Sequence, residues 1–477
     1  MREQAKPITI PFDKGHYGGF DDVAATMITA NKIPLGYYYG TDVKLDDSGF
    51  LRARPKLSYL VTYGTSAYNP IGCFKLGGTY YSFANSAALQ YYTGSAWAAV
   101  TGSPTYTSQV NVDDISAAGN TTPLAFISSC YNNPKIYTVT GSAATEIAAA
   151  QAKGIASHDE GRIFCFNDGY IYYSDRGAYT TGYATGASGE WFLLGNSCDT
   201  PVAMFNCGGA LNILQCNTSA EKIYLWRKTQ TYSDSEELID MTSFKMVYGA
   251  FNGVINNKTD GVCQLGGNIF AWISGVGLAV LTDNGFQILS EEIYAETPSN
   301  LIADCIIAAD ERSKQIFVKR SGDAFTMVYD FRSHNWQRWN VNITGKGWGS
   351  GGGMFSVAGT LSPARLGSYA TAAAEDSTIV PIVFTSAMNL GYPMREKFID
   401  RLYINGTGIT EVLIYCRLRP EDSFVLWKTC TVTDKLIRLD GDNRFGEVYF
   451  KISGNNLFCL KSFGIGFTVG DEIWEGS

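Results

Sequence analysis

The sequence has few of the features on which catalysis, metal binding or membrane insertion usually depend. Only 3 of its 477 residues are histidine, and 17% are charged. No apolar run reaches the roughly 18 residues that a membrane-spanning helix needs, and the amino-terminal stretch MREQAKPITIPFDKG lacks the apolar core of a signal peptide. These absences predict a soluble protein, made in a cytoplasm and without a membrane anchor.

The three histidines offer no catalytic or metal-ligating pattern. His16, His158 and His334 lie in separate segments, and none occurs in an HxxE, HExxH or HxH arrangement. His158 stands beside Asp159 and Glu160, which would suit a general base, but a solvated turn is the simpler interpretation. No catalytic histidine is predicted.

Carboxylates and glycine-rich segments are equally uninformative about chemistry. Asp175, Asp283 and Asp330 each end a predicted strand, where aspartates commonly accept backbone hydrogen bonds, although glycoside hydrolysis also uses pairs of acids. Neither GxxxxGK[ST] nor GxSxG occurs, and GSGGGMFS has no lysine to hold a phosphate. We therefore predict no enzyme activity, no catalytic residue and no cofactor.

The cysteines are predicted to be reduced core thiols. Their number is odd, 11, and the nine-residue steps between Cys198, Cys207 and Cys216 do not match the close pairs of a zinc site. Neither a disulfide framework nor a metal site is expected. Six cysteines lie within apolar strand-like runs: Cys73, Cys165, Cys263, Cys305, Cys416 and Cys459.

The charge balance limits the binding partners. The net charge is -8, so the whole chain offers no electrostatic reason for tight binding to nucleic acid or to an anionic membrane. The negative charge does not exclude a protein through which DNA passes without binding tightly.

The composition favours an all-β fold. The chain has 29 Tyr, 26 Phe and 51 Gly, which suit short twisted strands joined by tight turns. The best helical candidate is Ser142 to Gly154, SAATEIAAAQAKG, with a surface loop as the alternative.

Short hairpins recur every few tens of residues, close to the spacing of four-stranded propeller blades. GRIFCFNDGYIYYSD and TMVYDFRSHNWQRW each contain strand, polar turn and strand. The pattern predicts a β-propeller-like core, with a large sandwich or barrel array as the alternative. The predicted turn positions are Asn167, Asp168, Gly169, Asn284 and Gly285.

Large aromatic side chains within these strands are predicted to fill the space between blades. Stacking on a sugar or base is the alternative role, and it would require exposed rings. The predicted packing anchors are Trp336, Trp339, Trp191, Trp272 and Tyr329.

Three regions are expected along the chain. Residues 1–60 are expected to form an amino-terminal arm and the first strand of the propeller, and 61–382 the propeller core. Residues 383–477 are expected to form an antiparallel, sandwich-like β module, with the last blades of the same propeller as the alternative. The glycine-rich stretch Gly345 to Gly359 is the best candidate for a linker or exposed loop.

Seven stretches, in order between about residues 35 and 470, resemble the tail nozzle or tail hub proteins of short-tailed bacteriophages, also called packaged-DNA stabilisation proteins. One departure is Pro55-Lys56, where a Pro-Gly pair would be expected after the early arginine. The stretches are DSGFLRARPKLSYL, RIFCFNDGYIYYSD, GLAVLTDNGFQIL, VYDFRSHNWQRW, EKFIDRLYING, VLIYCRLRPEDSFVLWKTC and LKSFGIGFTVG.

The resemblance implies a structural virion protein. It implies a homohexamer that sits under the portal adaptor, contacts a tail fibre, tailspike or needle protein, retains packaged DNA and lets the genomic DNA pass through its lumen without sequence-specific binding. The alternative function is a propeller-type lectin or glycosidase acting on a bacterial surface polysaccharide.

Overall fold

The computed structural model describes most of the chain from residue 37 to residue 473, together with short amino-terminal strands. The described residues are 3–4, 6–10, 14–16, 37–55, 58–62, 70–84, 86–106, 110–115, 124–129, 135–147, 152–158, 161–167, 169–183, 191–195, 199–207, 209–217, 222–229, 239, 243–252, 261–266, 269–274, 277–282, 285–289, 305–320, 323, 325–348, 354–357, 365–368, 379–393, 395–441 and 443–473.

Every regular element of the described residues longer than one residue is a strand. The first six are β1 (Glu3–Gln4), β2 (Ile8–Ile10), β3 (Lys14–His16), β4 (Tyr37–Thr41), β5 (Val43–Leu45) and β6 (Leu51–Ala53). The next sixteen are β7 (Ser58–Thr62), β8 (Pro70–Leu76), β9 (Thr79–Ala84), β10 (Ala87–Ala88), β11 (Gln90–Tyr92), β12 (Trp97–Ala99), β13 (Thr105–Tyr106), β14 (Val110–Ile115), β15 (Leu124–Ser129), β16 (Ile136–Thr140), β17 (Ala143–Ile147), β18 (Gly154–His158), β19 (Arg162–Asn167), β20 (Tyr170–Asp175), β21 (Ala178–Gly182) and β22 (Trp191–Leu193).

The remaining strands continue to the carboxyl terminus. They are β23 (Thr200–Cys207), β24 (Ala210–Asn217), β25 (Lys222–Lys228), β26 (Phe244–Asn252), β27 (Val262–Leu265), β28 (Ile269–Ser274), β29 (Gly277–Thr282), β30 (Gly285–Ile288), β31 (Cys305–Asp310), β32 (Gln315–Arg320), β33 (Thr326–Asp330), β34 (Asn335–Trp339), β35 (Ile343–Trp348), β36 (Met354–Val357), β37 (Arg365–Ser368), β38 (Ile382–Thr385), β39 (Arg395–Arg417), β40 (Val425–Thr431), β41 (Leu436–Arg438) and β42 (Glu447–Glu472).

The chain forms two compact units, each built from separate stretches of sequence. The propeller unit comprises Leu57–Ala324 and Val341–Ala373. The long-strand unit comprises Met1–Lys56, Phe325–Asn340 and Ala374–Ser477.

The propeller unit is a β-propeller arrangement of antiparallel sheets. Three of its sheets are β14-β15-β16-β17, β23-β24-β25-β26 and β27-β28-β29-β30, and a fourth joins β18-β19-β20-β21 with β22. The fifth, of eight strands, consists of two four-stranded halves, β12-β11-β9-β8 and β35-β36-β37-β7, joined through the parallel pair β8–β35. In the second half the first strand of the unit, β7, pairs with the last, β37, which closes the propeller.

Apolar clusters between consecutive sheets explain why these sheets stack. One cluster joins β8 and β9 to β15 and β16, and another joins β15–β17 to β18 and β19. A third cluster joins β19 and β20 to β23 and β24. A fourth joins β23–β25 to β27–β29. Because each sheet buries both faces, its strands are apolar at successive positions, which accounts for the hairpins that the sequence predicts.

The long-strand unit is built on one antiparallel ladder between β39, of 23 residues, and β42, of 26 residues. β40 and β41 pair with the other edge of β39, and β1, β2, β6 and β38 pair with the other edge of β42. Register shifts along the ladder bend the two strands, and one apolar cluster collects residues from both ends of them. Such a bend folds a single sheet over its own core, as the predicted sandwich-like module requires.

Two predicted boundaries differ from this organisation. The hairpin of β33 and β34 lies in the long-strand unit, where Arg338 pairs with Thr41 of β4. Residues 1–56 likewise belong to the long-strand unit, which leaves β7 as the first propeller strand. The carboxy-terminal strands do form an antiparallel module. The unit that contains them also includes residues 1–56 and 325–340.

Two local predictions are wrong. Within Ser142 to Gly154, the described residues 142–147 and 152–154 are not helical: β17 pairs with β16, and Ala144 and Ile147 are buried between sheets, so tertiary packing outweighs the helical preference of alanine. The stretch Gly345 to Gly359 is not simply a linker, because it contains part of β35 and all of β36.

The bend of the long ladder depends on glycine at position 454. This residue pairs with Ile409, and a methyl group there would overlap the carbonyl oxygen of Gly408 and the Phe458 ring. Gly408 itself has a φ of +65°, a conformation that favours glycine, so the backbone at Gly408 cannot easily move away from a methyl group at position 454.

We predict that Gly454→Ala lowers the free energy of unfolding by about 1 to 3 kcal/mol, the usual cost of overpacking. Equilibrium denaturation in urea measures it. Gly261→Ala is the matched control, because a methyl group at Gly261 meets nothing within 4 Å. Equal stability of the two variants would contradict the role assigned to Gly454.

Candidate functional site: a buried clasp and an exposed sheet edge

The hairpin of β33 and β34 turns through a self-contained polar loop. Asp330 Oδ1 accepts the backbone N–H of Arg332 at 2.9 Å, and Asn335 Nδ2 donates to the Ser333 carbonyl at 2.9 Å. His334 adopts a φ of +52° and is exposed. Asp330 therefore holds the turn, as a strand-end aspartate is expected to do.

The two tryptophans of this hairpin are packing residues. Trp336 is 2% exposed and Trp339 is 0% exposed. Trp336 lies opposite Tyr329, and their rings meet edge to face with centroids 5.2 Å apart. Trp339 Nε1 donates to the Val43 carbonyl and to Gln337 Oε1, both at 3.1 Å. Because both rings are buried, they cannot stack on a ligand. Both lie in the long-strand unit, whereas the sequence predicts them within the propeller core.

A buried aspartate, Asp42, joins this hairpin to the segment that follows β4. Its Oδ1 accepts hydrogen bonds from Arg54 Nε at 2.7 Å and from the backbone N–H of Asn340 at 2.8 Å, and its Oδ2 accepts from Asn340 Nδ2 at 2.9 Å. The Asp42 N–H donates to the Arg338 carbonyl at 2.7 Å. We call Asp42, Arg54 and Asn340 the clasp.

The clasp is almost fully removed from solvent. The side chains of Arg54 and Asp42 are 1% and 4% exposed, so the pair is retained only because hydrogen bonds satisfy both partners. Asp42 also has a φ of +55°, a conformation that non-glycine residues seldom adopt. The sequence alone does not reveal the role of Asp42. A single aspartate between two strands, here β4 and β5, is too common to indicate a buried ion pair.

The other two predicted anchors lie in the propeller unit. Trp272 is fully buried beside Phe270 and Phe286, in the cluster between two sheets. Trp191 is only half-buried, and its ring meets the 37% exposed Tyr170 edge to face at 5.1 Å. Trp191 is thus an anchor at the surface.

The predicted turn positions are only partly described. Asn167 pairs with Tyr170 at the end of the β19–β20 hairpin, and Gly169 has a φ of +95°. Gly285 has a φ of +116° and pairs with Thr282. Asp168 and Asn284 lie outside the described residues.

The described cysteines are free thiols, as the sequence predicts. Burial raises the pKa of Cys263 and of Cys416 to about 12, and it also raises the pKa of Cys165. These thiols stay protonated near neutral pH and are poor nucleophiles. Cys207 and Cys216 are both buried, whereas Cys198 lies outside the described residues.

One buried lysine, Lys397, stands near the start of the long ladder. It is 0% exposed, and its ammonium donates to the carbonyls of Arg395 at 2.9 Å and Gly446 at 2.7 Å. Desolvation lowers the pKa of Lys397 to about 8, against a weaker opposing effect of Glu447. Glu447 instead pairs with Arg417, whose Nε lies 2.7 Å from it.

Neither a metal cluster nor a membrane helix is found in the described part of the chain. No group of three or more His, Cys, Asp or Glu side chains is placed there to hold a metal ion. No helix within those same residues is long and apolar enough to cross a bilayer.

The edge strands β40 and β41, which pair with β39, expose apolar side chains. β40 is the last strand of its sheet in this direction, and β41 pairs with β39 further along. Val425 is 66% exposed, and Leu426 and Leu436 are also exposed. At the bend of the ladder Leu457 is 70% exposed. Exposed edge strands of this kind are places where another protein chain commonly binds.

Charge is distributed unequally between the two units. The propeller unit contains 16 Lys and Arg against 23 Asp and Glu, a net charge of -7 out of -8 for the chain. The long-strand unit is therefore nearly neutral.

The comparisons with known proteins concern the architecture. No protein-family model and no curated protein matches the sequence. The β-propeller domain of Cps50 (Swd1) from Myceliophteria thermophila is 9% identical, with a TM-score of 0.41 over 65% of this chain and 99% of that chain. Hydrazine synthase from Kuenenia stuttgartiensis is 11% identical, with a TM-score of 0.39 over 66% of this chain and 98% of that chain. These low similarities carry no argument about function.

We predict that Arg54→Ala lowers the free energy of unfolding by about 3 to 5 kcal/mol, because it leaves the Asp42 carboxylate buried without its cation. Denaturant unfolding measures the change. Arg52→Ala is the control: Arg52 pairs with Asp46, but its side chain is 47% exposed. The control should lose at most about 1 kcal/mol. A small loss for Arg54→Ala would show that the clasp is dispensable.

We also predict that stability rises with pH through Lys397. Its pKa of about 8 in the folded chain lies below the ordinary lysine value of 10.5, so the unfolded chain binds more protons between these pH values. Relative to Lys397→Met, the free energy of unfolding should rise by roughly 1 to 3 kcal/mol between pH 8 and 10.5. The exposed-lysine control Lys435→Met should follow the wild-type profile. Parallel profiles for wild type and Lys397→Met would contradict the prediction.

Proposed function

We propose that this chain is a structural subunit of the nozzle, or hub, of a short bacteriophage tail. In this role it extends the channel of the portal and its adaptor, retains packaged DNA and lets the DNA pass at ejection. It acts as a homohexamer in the virion, with contacts to the adaptor and to a tail fibre, tailspike or needle protein.

The observation that carries the proposal is the clasp. Two of the stretches that carry the family resemblance are far apart in sequence: DSGFLRARPKLSYL contains Arg54, and VYDFRSHNWQRW ends at Trp339, next to Asn340. Arg54 and Asn340 bind the same Asp42 carboxylate. Asp42 thus links Arg54 of the first stretch to Asn340, the residue that follows the second stretch, so both stretches come together in one unit, which supports the proposal.

The surface properties also suit this role. Each phosphate neutralised by Lys or Arg adds a salt-dependent attraction that would have to be broken at ejection, so an acidic propeller unit favours sliding over sticking. The exposed edge of β40 and β41 offers a surface that neighbouring subunits or tail proteins would cover. A conduit for duplex DNA must then lie between subunits arranged in a closed ring.

Mass photometry of the purified chain, alone and with the portal adaptor of the same phage, tests the assembly. We expect a species that adds six times the 52.0 kDa chain mass to the adaptor ring. A particle reconstruction with one central copy, or with the chain as a peripheral fibre, would overturn the proposal. Tight duplex binding at physiological salt would overturn it as well.

A lectin or glycosidase is the second candidate, favoured by the half-exposed Tyr170–Trp191 pair, which could stack on a sugar. Binding of bacterial surface polysaccharide that is lost in Trp191→Ala, with no ring on the adaptor, would support this alternative over the nozzle.

A further inference from the structure

One face of the sheet in the long-strand unit is apolar although it points away from the core. Strands β40, β39, β42 and β38 lie side by side, and their core face supplies Val412, Ile414 and Phe450 to the apolar cluster of this unit. Side chains alternate between the two faces of a strand, and paired residues share a face. The pairing places six apolar residues on the opposite side, which we call the outer face: Ile382, Phe384, Leu413, Tyr415, Leu426 and Tyr449.

The outer face is partly open to solvent. Leu426 is 44% exposed, and Leu413 and Tyr415 are half-buried. Val380, which lies two residues before Ile382 and extends this face, is 46% exposed. An antiparallel sheet that packs one face on a core normally turns polar side chains to water on the other. Apolar side chains across four neighbouring strands are instead typical of a surface that another chain covers.

Aromatic rings give the outer face the kind of anchor that protein interfaces use. The rings of Tyr415 and Tyr449 are stacked with centroids 4.6 Å apart, and Phe424 meets Tyr449 edge to face at 4.8 Å. Because these rings hold one another in place, they would lose little side-chain freedom on binding. Aromatic side chains near the centre of an interface commonly carry much of its binding energy.

Two charged side chains lie within the outer face. Lys451 pairs with Leu413 and with Phe384, and its ammonium lies 5.7 Å from the centroid of the Phe384 ring. Glu411 pairs with Ser453, two residues from Lys451 along β42, so Glu411 and Lys451 are diagonal neighbours. None of the ion pairs that the described residues of this unit form includes either side chain. The face thus presents one cation and one anion side by side.

This balance of charge selects the partner. Nucleic acid or an anionic membrane would need an excess of positive charge, whereas the outer face carries one charge of each sign. A second copy of the same face is complementary to it, because a two-fold axis between Lys451 and Glu411 brings the lysine of each copy against the glutamate of the other. The long-strand unit is also nearly neutral, so two copies can approach through it without the repulsion that the acidic propeller units would cause.

We propose that the outer face is a dimerisation surface, on which two copies of this chain pack sheet against sheet. Lys451 then pairs with Glu411 of the partner subunit, and the apolar residues of both copies are removed from water. A pair of this symmetry does not by itself build a ring of six. The dimer is therefore a state of the free chain, and the proposal does not rest on the nozzle function.

The size of the outer face predicts a weak dimer. Four strands about 4.8 Å apart, with about seven residues of each strand at roughly 3.3 Å per residue, cover about 300 Å². Stable interfaces bury about 800 Å² on each partner. We therefore expect a dissociation constant of about 10⁻⁵ M, with monomer and dimer in exchange.

Sedimentation equilibrium of the full chain, at about 1 to 100 µM, tests the self-association on both sides of the expected dissociation constant. The apparent mass should rise from that of the 52.0 kDa monomer towards that of a dimer. Leu426→Ser should raise the dissociation constant about tenfold, because it removes an exposed leucine from the outer face. Leu457→Ser is the matched control: Leu457 is 70% exposed but lies at the bend of the ladder, so dimerisation should not change.

Charge reversal tests the symmetry of the contact. Lys451→Glu and Glu411→Lys each place like charges together in the dimer, and each should raise the dissociation constant about tenfold. The double variant restores opposite charges with their positions exchanged, so its dissociation constant should return to within about threefold of the wild type. A purely structural role of the two side chains would not produce this rescue. Circular dichroism establishes that each variant is folded.

The proposal is overturned if the wild type remains monomeric at about 100 µM, or if it forms a dimer that Leu426→Ser does not weaken. It is overturned equally if the double charge variant dimerises no better than the single variants, because another surface or another arrangement would then hold the two copies together.

Discussion

The Asp42 carboxylate is the interaction on which the organisation of this chain most depends. It binds Arg54, which lies 12 residues further along, and Asn340, which lies 298 residues further along. A carboxylate so deeply buried is tolerated only if all its partners are present, so the long-strand unit cannot be completed before both segments arrive. The β33–β34 hairpin, whose sequence interrupts that of the propeller unit, belongs to this long-strand unit.

The propeller unit also depends on a contact between residues that are far apart in the sequence. Its first strand, β7, pairs with its last, β37, so the ends of a stretch of about 300 residues are joined by one ladder. Between them, apolar clusters hold consecutive sheets face to face. Both units therefore rely on contacts between residues distant in sequence, which is expected to make folding slow.

Local features of the structure could be predicted from the sequence, whereas the assignment of segments to units could not. Asn167 and Gly169 sit in a hairpin because a tight turn needs such residues, and Trp336 is buried because an apolar strand face demands it. The hydrogen bonds between Asp42 and Asn340 span 298 residues, and no pattern near residue 340 reveals a partner near residue 42. The alanine-rich stretch near Ala144 became a strand for the same reason: its neighbours in space decide its conformation.

The central claim is that the buried Asp42 carboxylate is stable only together with its partner Arg54, and a double-mutant cycle on these two residues tests it most directly. The free energies of unfolding of the wild type, Asp42→Asn, Arg54→Met and the double variant give the coupling between the two side chains. The account predicts that Arg54→Met costs far less in the Asp42→Asn background, with a coupling of about 1.5 to 3 kcal/mol. Additive losses, with a coupling near zero, would contradict it.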